Sequence, residues 1–314
     1  MSQLIGIDIG GTKILGIVVD EDDPAVVQAE FRVPTPAGAD NVLDAIAKVA
    51  RELSVPLTSV GVGIAGLVDR DGVLQSAPNL PNLHQVPVRE ELFHRLGCSV
   101  AVDNDATCAA WGEHIAGAAR GIPDATCITL GTGIGTGLIA GGEVIRGAHG
   151  FGGEAGHMVV DPAGPHCPCG RRGCWERMAS GSGLGRLARE VAEAGRLDRV
   201  LELAGGELSA LRGEHVAQAA TEGDSQALDL LRAFAWWVAL GLANLVTLLD
   251  SGIVVIGGGL VEIGEPLMSP IRDHYGNLVM AHDQRADVRV EPAQLGERAG
   301  AIGAALLGGR RAGR

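Results

Sequence analysis

Aromatic residues are scarce in this chain, since Phe, Trp and Tyr together make up only 3% of its 314 residues. A core with so few rings has to be built from aliphatic side chains, and a hydrophobic content of 46% supplies them. Runs of lysine or arginine are absent as well, and the formal net charge is −13, from 25 basic and 38 acidic residues. Nucleic-acid binding is therefore disfavoured, because it requires clustered cations that meet the phosphates.

The longest uncharged run is too short to be predicted as a membrane span. The longest uncharged run, residues 233–249, has 17 residues and contains Asn244 and Thr247, whereas a spanning helix needs about 20 predominantly apolar residues. This run predicts a buried helix. The N-terminus opens on a strand pattern rather than on a charged segment followed by an apolar one, so we expect no signal peptide. A cytoplasmic protein without a membrane partner follows.

The length exceeds that of one typical domain, so two domains are expected. Glycine is abundant, at 48 residues, and an aliphatic core with many tight backbone approaches is typical of α/β proteins. Apolar residues at helical spacing predict helices over 39–53, 86–96, 106–119, 184–194, 216–222, 225–249, 266–280 and 300–307. Short apolar runs predict strands over 4–9, 14–19, 59–65, 99–102, 125–130, 138–140, 252–256 and 288–290.

Three cysteines and one histidine cluster between residues 154 and 176. They are Cys167, Cys169, Cys174 and His157, and four such ligands are what tetrahedral zinc takes in a closed structural site. The alternatives are reduced cysteines in a mobile loop, or a disulfide from Cys174 to either of the other two. Free cysteine prefers burial, whereas these three lie among prolines, glycines and arginines. Zinc is therefore the favoured interpretation.

The remaining cysteines have different surroundings. Cys98, Cys108 and Cys127 lie in apolar segments and are interpreted as buried thiols, which indicates a reducing compartment. Two carboxylates, Glu154 and Glu176, bracket the proposed zinc loop, and each lies within three residues of a proposed ligand. A bound metal would fix the positions of both.

A strand, a glycine turn and a second strand are predicted at the N-terminus. In the turn, glycine N–H groups that face one point, a hydroxyl and an ammonium form a cradle suited to phosphate. An ordinary hairpin turn is the alternative. Against it stands Asp8, which interrupts the first apolar strand and would be costly to bury unless it met a cation. The residues of the turn are Gly10, Gly11, Thr12 and Lys13.

The same plan recurs 121 residues later, where Gly131 aligns with Gly10. Residues 125–130 form a predicted strand, residues 131–137 a glycine turn and residues 138–140 a second strand. Such a repeat suggests two halves of related fold, and the two cradles would grip one phosphate chain in the cleft between them. The second cradle includes Gly131, Thr132 and Gly133. A third glycine cluster at a strand end, suited to close approach of a nucleotide, consists of Gly257, Gly258 and Gly259.

Two common nucleotide motifs do not explain these glycines. The turns do not match the P-loop pattern, so a P-loop enzyme is excluded. The spacing of Gly61, Gly63 and Gly66 matches the dinucleotide fingerprint. That match is rejected, because neither the helix nor the acidic residue that the fingerprint requires follows it.

Three polar residues, Asp103, Asn104 and Asp105, stand where a predicted strand ends and a helix begins. Ligands of α/β sheets bind beyond the carboxyl ends of strands. Helix capping is the alternative, but one residue suffices for a cap. Asp105 is therefore predicted to be the general base and Asn104 a substrate contact. Asn79, in a rigid loop, is a further candidate contact for a hydroxylated ligand, although such asparagines usually only cap turns.

Together these motifs resemble the ROK family (repressors, open reading frames, kinases), and the resemblance covers nearly the whole chain. It rests on residues 8–13, 103–105, 130–137, 154–157, 167–176 and 257–259. The resemblance implies a two-domain α/β, actin/hexokinase-like (ribonuclease H-like) fold with an interdomain cleft. We expect a small α/β domain over 1–118, joined by a C-terminal helix at about 298–314, and a large α/β domain over 119–297 that carries the zinc loop.

Within the family the chain is most similar to bacterial ATP-dependent glucokinases, and the resemblance implies that Asp105 is the catalytic base. The implied sugar contacts are Asn79, Asn104, Asp105, Glu154, His157 and Glu176. The implied nucleotide and Mg²⁺ site comprises Asp8, Gly10, Gly11, Thr12, Lys13, Gly131, Thr132, Gly133, Gly257, Gly258 and Gly259. The implied ligands of a structural Zn²⁺ are His157, Cys167, Cys169 and Cys174.

The implied reaction is ATP-dependent phosphorylation of the 6-hydroxyl of a hexose, with glucose as the expected sugar. Kinases for N-acetylglucosamine, N-acetylmannosamine, mannose or fructose share these motifs and are alternatives, as is a sugar-sensing regulator without kinase activity. Such a regulator carries a DNA-binding helix-turn-helix ahead of the first glycine turn, for which Asp8 leaves no room. A homodimer or homotetramer is expected. Because zinc would position His157 and Glu176, we expect its loss to weaken sugar binding before nucleotide binding.

Overall fold

Strands and helices alternate along the chain. The computed structural model describes residues 3–53, 55–78, 80 and 83–312. Its strands are β1 (Gln3–Ile9), β2 (Lys13–Asp20), β3 (Val27–Pro34), β4 (Ser59–Ile64), β5 (Leu67–Val68), β6 (Leu74–Ser76), β7 (His84–Val86), β8 (Ser99–Asn104), β9 (Ala125–Leu130), β10 (Ile134–Ala140), β11 (Glu143–Val144), β12 (Ile253–Gly257) and β13 (Arg289–Pro292). Its α-helices are α1 (Ala39–Glu52), α2 (Val88–Leu96), α3 (Asp105–Ala116), α4 (Trp175–Ala179), α5 (Gly181–Glu193), α6 (Asp198–Leu203), α7 (Gly213–Thr221), α8 (Ser225–Leu249), α9 (Glu265–Leu278) and α10 (Ala299–Ala312).

The predicted α/β class is confirmed, and the eight predicted helices correspond to helices of the structure. The sequence analysis missed α4, α6 and the strands β3, β5, β6, β7 and β11. Most of these elements are short, and β3 is half-exposed along its length, so none of them offers the buried apolar run by which the other elements were predicted.

Two five-stranded sheets have the same strand order. One has the order β3-β2-β1-β4-β8 and the other β11-β10-β9-β12-β13. In the first sheet β2 pairs antiparallel with both β1 and β3, whereas β4 pairs parallel with β1 and β8. In the second sheet β10 and β11 are likewise antiparallel, and β12 and β13 are parallel. The predicted internal repeat is therefore confirmed.

The two glycine turns occupy equivalent positions in the two sheets. The second turn is shorter than predicted. The first turn joins Ile9 to Lys13 and the second joins Leu130 to Ile134, again 121 residues apart. The predicted turn over residues 131–137 is wrong after residue 133, because β10 already begins at Ile134. Gly137 lies within β10 and allows the strand to pack closely on α3, because a Cβ there would lie 2.3 Å from the Cβ of Ala110.

Contacts divide the described chain into two compact units. Unit 1 contains the residues up to Cys127, Gly137–Gly153 and those from Ala293, and unit 2 contains Ile128–Thr136 and Glu154–Pro292. Each unit buries its own hydrophobic core. These units differ from the expected domains because 119–127 and 137–153 belong to unit 1, where the ion pair of Arg146 with Asp103 ties the second segment to β8.

Helix α10 packs against the other elements of unit 1 with almost no space between backbones. A Cβ on Gly6 of β1 would lie 1.9 Å from the carbonyl oxygen of Ala301, and a Cβ on Gly61 of β4 would lie 1.7 Å from that of Ala304. On α10 itself, a Cβ on Gly303 would lie 1.7 Å from the carbonyl oxygen of Cys108 in α3. Glycine is therefore required on both sides of this contact.

Helix α8 has the predicted bounds, 225–249, and contains the uncharged run 233–249. It begins at a cap in which the Asp224 side chain accepts a hydrogen bond from the backbone N–H of Ala227 at 2.8 Å. Among the described residues it is the one helix long and apolar enough to cross a membrane. Its inner face lies in the core of unit 2, where Phe234, Val238 and Leu242 are fully buried. It is a core helix of that unit.

A buried carboxylate, Glu113, joins α3 to the segment that leads into α10. The side chain is only 2% exposed. Its oxygens accept hydrogen bonds from the backbone N–H groups of Ala118 at 2.8 Å, Leu295 at 2.8 Å and Gln294 at 3.1 Å. One side chain thus satisfies three backbone donors that would otherwise be unpaired.

Replacing Glu113 with alanine should lower the free energy of unfolding by about 2–4 kcal/mol, because three donors lose an ionised acceptor. Glu113→Gln keeps one oxygen and should lose less. Urea unfolding followed by circular dichroism measures both variants, with the exposed Glu193→Ala as the matched control. Equal stability of Glu113→Ala and the wild type would contradict this role.

Candidate active site

Asp105 is the first residue of α3, and Asn104 is the N-cap of that helix. The Asn104 oxygen accepts a hydrogen bond from the backbone N–H of Thr107 at 3.0 Å. Its amide nitrogen donates to the Asp105 carboxylate at 3.0 Å and to the carbonyl oxygen of Gly66 at 3.1 Å. Asn104 therefore both caps the helix and orients the carboxylate beside it.

The third member of the triplet has a partner of its own. Asp103 accepts a hydrogen bond from Nε of Arg146 at 2.6 Å, and the two side chains form an ion pair of low exposure. Its other oxygen accepts from the backbone N–H of Asn104 at 3.0 Å. Capping and ion pairing thus account for Asn104 and Asp103, two of the three polar residues. Burial raises the pKa of the Asp105 carboxyl above its ordinary value, which strengthens it as a base near neutral pH.

Asp8 lies in β1 beside Gly63 of β4. Burial raises the pKa of its carboxyl to about 7, and the nearby charge of Asp105 adds to this effect, whereas Lys13 lowers the pKa. A Cβ on Gly300 would lie 2.9 Å from the Asp8 carboxyl carbon, so the N-terminal turn of α10 reaches this carboxyl. Asp8 and Asp105 therefore supply carboxyl oxygens in one partly buried region. A hard divalent cation binds oxygen ligands of this kind.

Lys13 of the first turn is engaged in an ion pair with the Glu297 carboxylate. The same carboxylate is 3.1 Å from Arg32, and Glu30 is 2.9 Å from Arg298. These exposed charges form one network at the start of α10. The sequence did not predict this partner for Lys13, because Glu297 lies 284 residues away along the chain.

Thr35 holds the backbone of the first turn. Its hydroxyl donates to the carbonyl oxygen of Gly10 at 2.7 Å, and its N–H donates to that of Thr12 at 3.1 Å. Within the turn, the N–H of Gly10 donates to the carbonyl oxygen of Lys13 at 3.0 Å. Gly11 and Thr12 are exposed at the tip. Sequence reasoning missed Thr35, which lies just past a strand that was not predicted.

The structure brings together the four predicted zinc ligands in unit 2. The ligand atoms of His157, Cys167, Cys169 and Cys174 all lie within 4.8 Å of one another. Sγ of Cys167 is 3.7 Å from Nδ1 of His157, and the sulfurs of Cys169 and Cys174 are 3.5 Å apart. Tetrahedral zinc with bonds of about 2.3 Å separates its sulfur ligands by about 3.8 Å, so the cluster fits this ion. All six cysteines are free thiols.

The turns of this loop depend on glycines in the left-handed region. Gly173, with a φ of 63°, sits against Asp161, and a Cβ there would lie 1.5 Å from the Asp161 carbonyl oxygen. Gly170, with a φ of 89°, closes the turn that begins at Cys167. A larger residue at either position would displace the cysteines. His157 directs Nδ1 toward Cys167, and its Nε2 is 4.0 Å from the Glu154 carboxylate.

A cavity of about 780 Å³ in unit 2 is large enough for a nucleotide. Of the predicted cradle residues, Gly131, Thr132 and Gly259 line it. Gly258 instead has a packing role, because a Cβ there would lie 2.5 Å from the carbonyl oxygen of Leu130. The remaining walls of the cavity come from α4, α5, α7 with the residue before it, and the 3-10 helix Gly259–Ile263. The residues that line these walls are Arg177, Gly181, Ser182, Gly185, Arg189, Arg212, Gly213, Glu214, Ala217, Gln218, Thr221, Leu260, Glu262 and Ile263.

Sequence reasoning missed the arginines of this cavity. Arg177, Arg189 and Arg212 supply positive charge suited to phosphate. No motif spacing connects them, because they come from α4, from α5 and from the residue before α7. The spacing of Gly181 and Gly185, which places two small residues on one face of α5, is a sequence signal that could have indicated this cavity.

The predicted sugar contacts fall in both units. Asn104 and Asp105 belong to unit 1, and Glu154, His157 and Glu176 belong to unit 2. Within unit 2, one oxygen of Glu176 accepts a hydrogen bond from the backbone N–H of Ile134 at 2.9 Å. Asn79 lies outside the described residues.

Known proteins resemble this chain over nearly its full length. A sequence model of the ROK family matches residues 4–310. The glucokinase of Streptomyces coelicolor is 40% identical over 312 residues, which cover 98% of both chains. The glucokinase of Thermotoga maritima is 35% identical over 308 residues, which cover 97% of this chain and 96% of that protein. A ROK family glucokinase from Streptomyces griseus, crystallised with glucose and AMPPNP, has a TM-score of 0.88 and 39% identity, covering 98% of this chain and 100% of that one. The predicted actin/hexokinase-like fold class is confirmed by this likeness.

The raised pKa of Asp8 makes stability depend on pH. Below pH 3.8 the carboxyl is neutral in both folded and unfolded chains, and between pH 3.8 and about 7 only the unfolded chain ionises it. Because the folded chain keeps a proton that the unfolded chain has released, the free energy of unfolding decreases as pH rises through this window. Asp8→Asn stays neutral, so its unfolding free energy should rise relative to the wild type across the window, by about 1–4 kcal/mol, and then level off.

Chemical denaturation at pH 5, 6, 7 and 8 without divalent cations measures this difference. The exposed Asp71→Asn is the matched control. A flat difference for Asp8→Asn over the same range would show that Asp8 has an ordinary pKa.

Proposed function

Because this chain belongs to the ROK family, we propose that it is an ATP-dependent glucokinase, which transfers the γ-phosphoryl group of ATP to the 6-hydroxyl of glucose. The observation that carries the proposal is the Asp105 carboxyl, whose pKa is raised by burial and which is oriented by Asn104 at 3.0 Å. The likeness to glucokinases at 35–40% identity over the whole chain supports the choice of substrate.

Asp105 acts as the general base. Its carboxylate accepts the proton of the sugar 6-hydroxyl as the oxygen attacks the γ-phosphorus, and the bond from that phosphorus to the ADP oxygen breaks in line. The raised pKa of the carboxyl brings its basicity closer to neutral pH. Asn104 keeps the carboxylate in place through its amide N–H and contacts the sugar.

Asp8 is proposed to hold Mg²⁺ together with the phosphates of ATP. The pKa of Asp8 is raised to about 7, and Asp105 and Lys13 are nearby. A bound cation would lower this pKa and so favour the ionised carboxylate. Mg²⁺ would supply positive charge to the transferring phosphoryl group. We assign ATP contacts to the first turn, the second turn and the third glycine cluster; the cavity of unit 2, with its three arginines, supports this assignment.

Sugar binding is assigned to Asn79, Asn104, Asp105, Glu154, His157 and Glu176. Structural zinc is assigned to His157, Cys167, Cys169 and Cys174, on the ligand distances of 3.5 and 3.7 Å. With Nδ1 turned to Cys167, the Nε2 atom of His157 is available to a sugar hydroxyl near Glu154. The metal would thus orient a sugar contact without taking part in the chemistry.

Exposed apolar side chains and buried thiols bear on the assembly and the location of the protein. Trp236 and Leu248 are exposed on α8, by 36% and 77%, and exposed apolar side chains of this size are ones that a homodimer or homotetramer would bury. The substrates are ATP and glucose, and the thiols Cys98, Cys108 and Cys127 are free and buried. These features favour a cytoplasmic enzyme without nucleic-acid or membrane partners.

A sugar panel tests the proposed function directly. ADP release should require a hexose, and kcat/KM should be higher for glucose than for N-acetylglucosamine, N-acetylmannosamine, mannose or fructose. Measurement at saturating ATP with Mg²⁺, repeated with polyphosphate as the donor, separates sugar preference from donor preference. A higher kcat/KM for an N-acetylated sugar would contradict the glucose assignment, and no turnover with any hexose would contradict the kinase assignment.

Asp105→Asn should keep the fold and much of the glucose affinity but lose about 10²-fold or more in kcat. The amide can still hydrogen-bond the hydroxyl, yet it cannot take the proton. Glucose affinity is measured by calorimetry and turnover by ADP release, with Asp71→Asn as the matched surface control. Near-normal turnover of Asp105→Asn would assign the base to another residue.

A further inference from the structure

The Glu176 side chain reaches away from the proposed zinc loop to the second glycine turn. Its Oε2 accepts a hydrogen bond from the backbone N–H of Ile134 at 2.9 Å, just after the turn over residues 131–133. A Cβ on Gly133 would lie 2.3 Å from the same oxygen. A side chain at position 133 would therefore push the carboxylate away from the Ile134 N–H, which gives this glycine a role other than the phosphate cradle that the sequence suggested.

The backbone of Glu176 is held in place by the packing of its neighbour Trp175. The Trp175 ring is fully buried, and its Nε1 donates to the carbonyl oxygen of Trp237 at 2.8 Å. The ring lies against Gly241 of α8, where a Cβ would be 2.0 Å from a ring carbon. The backbone N–H of Trp175 donates to the carbonyl oxygen of Met158 at 2.7 Å. Because these contacts belong to the core of unit 2, they hold Glu176 in place without the metal.

The other side of the turn is held by α5. The N–H of Gly181 donates to the carbonyl oxygen of Gly131 at 2.8 Å, and the Ser182 hydroxyl donates to that of Thr132 at 2.7 Å. Gly131 and Thr132 line the cavity of unit 2. The turn is thus clamped between a carboxylate on one side and a helix N-terminus on the other.

We propose that Glu176 is a positioning residue for the nucleotide, which fixes the second glycine turn in its binding conformation through the bond to Ile134. The inference rests on the proposed function and extends it, since Glu176 was assigned to the sugar alone. One carboxylate oxygen holds the nucleotide turn, and the other is available to the sugar. The anchor at Trp175 makes this role independent of zinc.

Two substitutions at this position separate positioning from general stability. Glu176→Ala should weaken ATP binding about tenfold, measured by calorimetry without sugar, because the Ile134 N–H loses an ionised acceptor. Glu176→Gln keeps an oxygen for that N–H and should stay within about threefold of the wild type. Glu193→Ala, which removes an exposed glutamate of the same unit, is the matched control. ATP affinity of Glu176→Ala equal to that of the wild type would overturn the proposal.

Hydrogen exchange gives a readout that does not depend on ATP. Glu176→Ala should speed exchange in a peptide over residues 128–136 and leave a peptide over β12 unchanged. Unchanged exchange over residues 128–136 would overturn the proposal, as would equal acceleration in both peptides. If the wild type itself bound no ATP, the proposed function would fail, whereas the exchange result would still decide whether Glu176 holds the turn.

Removal of the metal tests the independence from zinc. Cys169→Ala, with zinc content measured by mass spectrometry and folding checked by circular dichroism, should keep ATP affinity within about threefold of the wild type. Cys98→Ala, which removes a buried thiol in unit 1, is the control. A loss of ATP affinity in Cys169→Ala as large as that in Glu176→Ala would overturn the anchoring by Trp175.

Discussion

The contact between α10 and the first sheet is the constraint on which unit 1 depends. Backbone carbonyl groups of the helix lie where side chains of β1 and β4 would otherwise be, and only Gly6 and Gly61 leave the space. The helix that makes this contact begins beside Asp8, and the segment that leads into it is held by the hydrogen bonds of Glu113. The position of a carboxyl near the beginning of the chain is therefore set by packing near its end.

The charges of the two units complement the groups of the proposed substrates. Unit 1 holds Asp8 and Asp105, whose carboxyls have raised pKa values because burial disfavours their ionised forms. A nearby cation stabilises the ionised form of such a carboxyl, and a raised pKa makes the carboxylate a better proton acceptor. Unit 2 places Arg177, Arg189 and Arg212 around its cavity, where phosphate groups would be neutralised. The two carboxyls suited to a cation or a proton thus belong to unit 1, and the arginines suited to phosphate line a cavity of unit 2.

Several side chains near the site serve structure and chemistry at once. Asn104 caps α3 with its oxygen and orients Asp105 with its nitrogen. Glu176 directs one oxygen to the N–H of Ile134. Sequence reasoning treated capping and substrate contact as alternatives, but an amide and a carboxylate each have two polar atoms that can act in different directions. Only the folded chain reveals which atom is used for which partner.

Four features can be predicted from the amino-acid sequence: the α/β class, the internal repeat, the core helix α8 and the set of four residues that cluster as candidate metal ligands. These features depend on local periodicity or on ligands close together in the chain, such as Cys167, Cys169 and Cys174. The tertiary structure alone decided the ion pair of Lys13 with Glu297, the arginines of the unit 2 cavity and the reason for glycine at 133. Each of these joins residues far apart in the chain, and no sequence period records such distances, because they arise from how helices and strands pack.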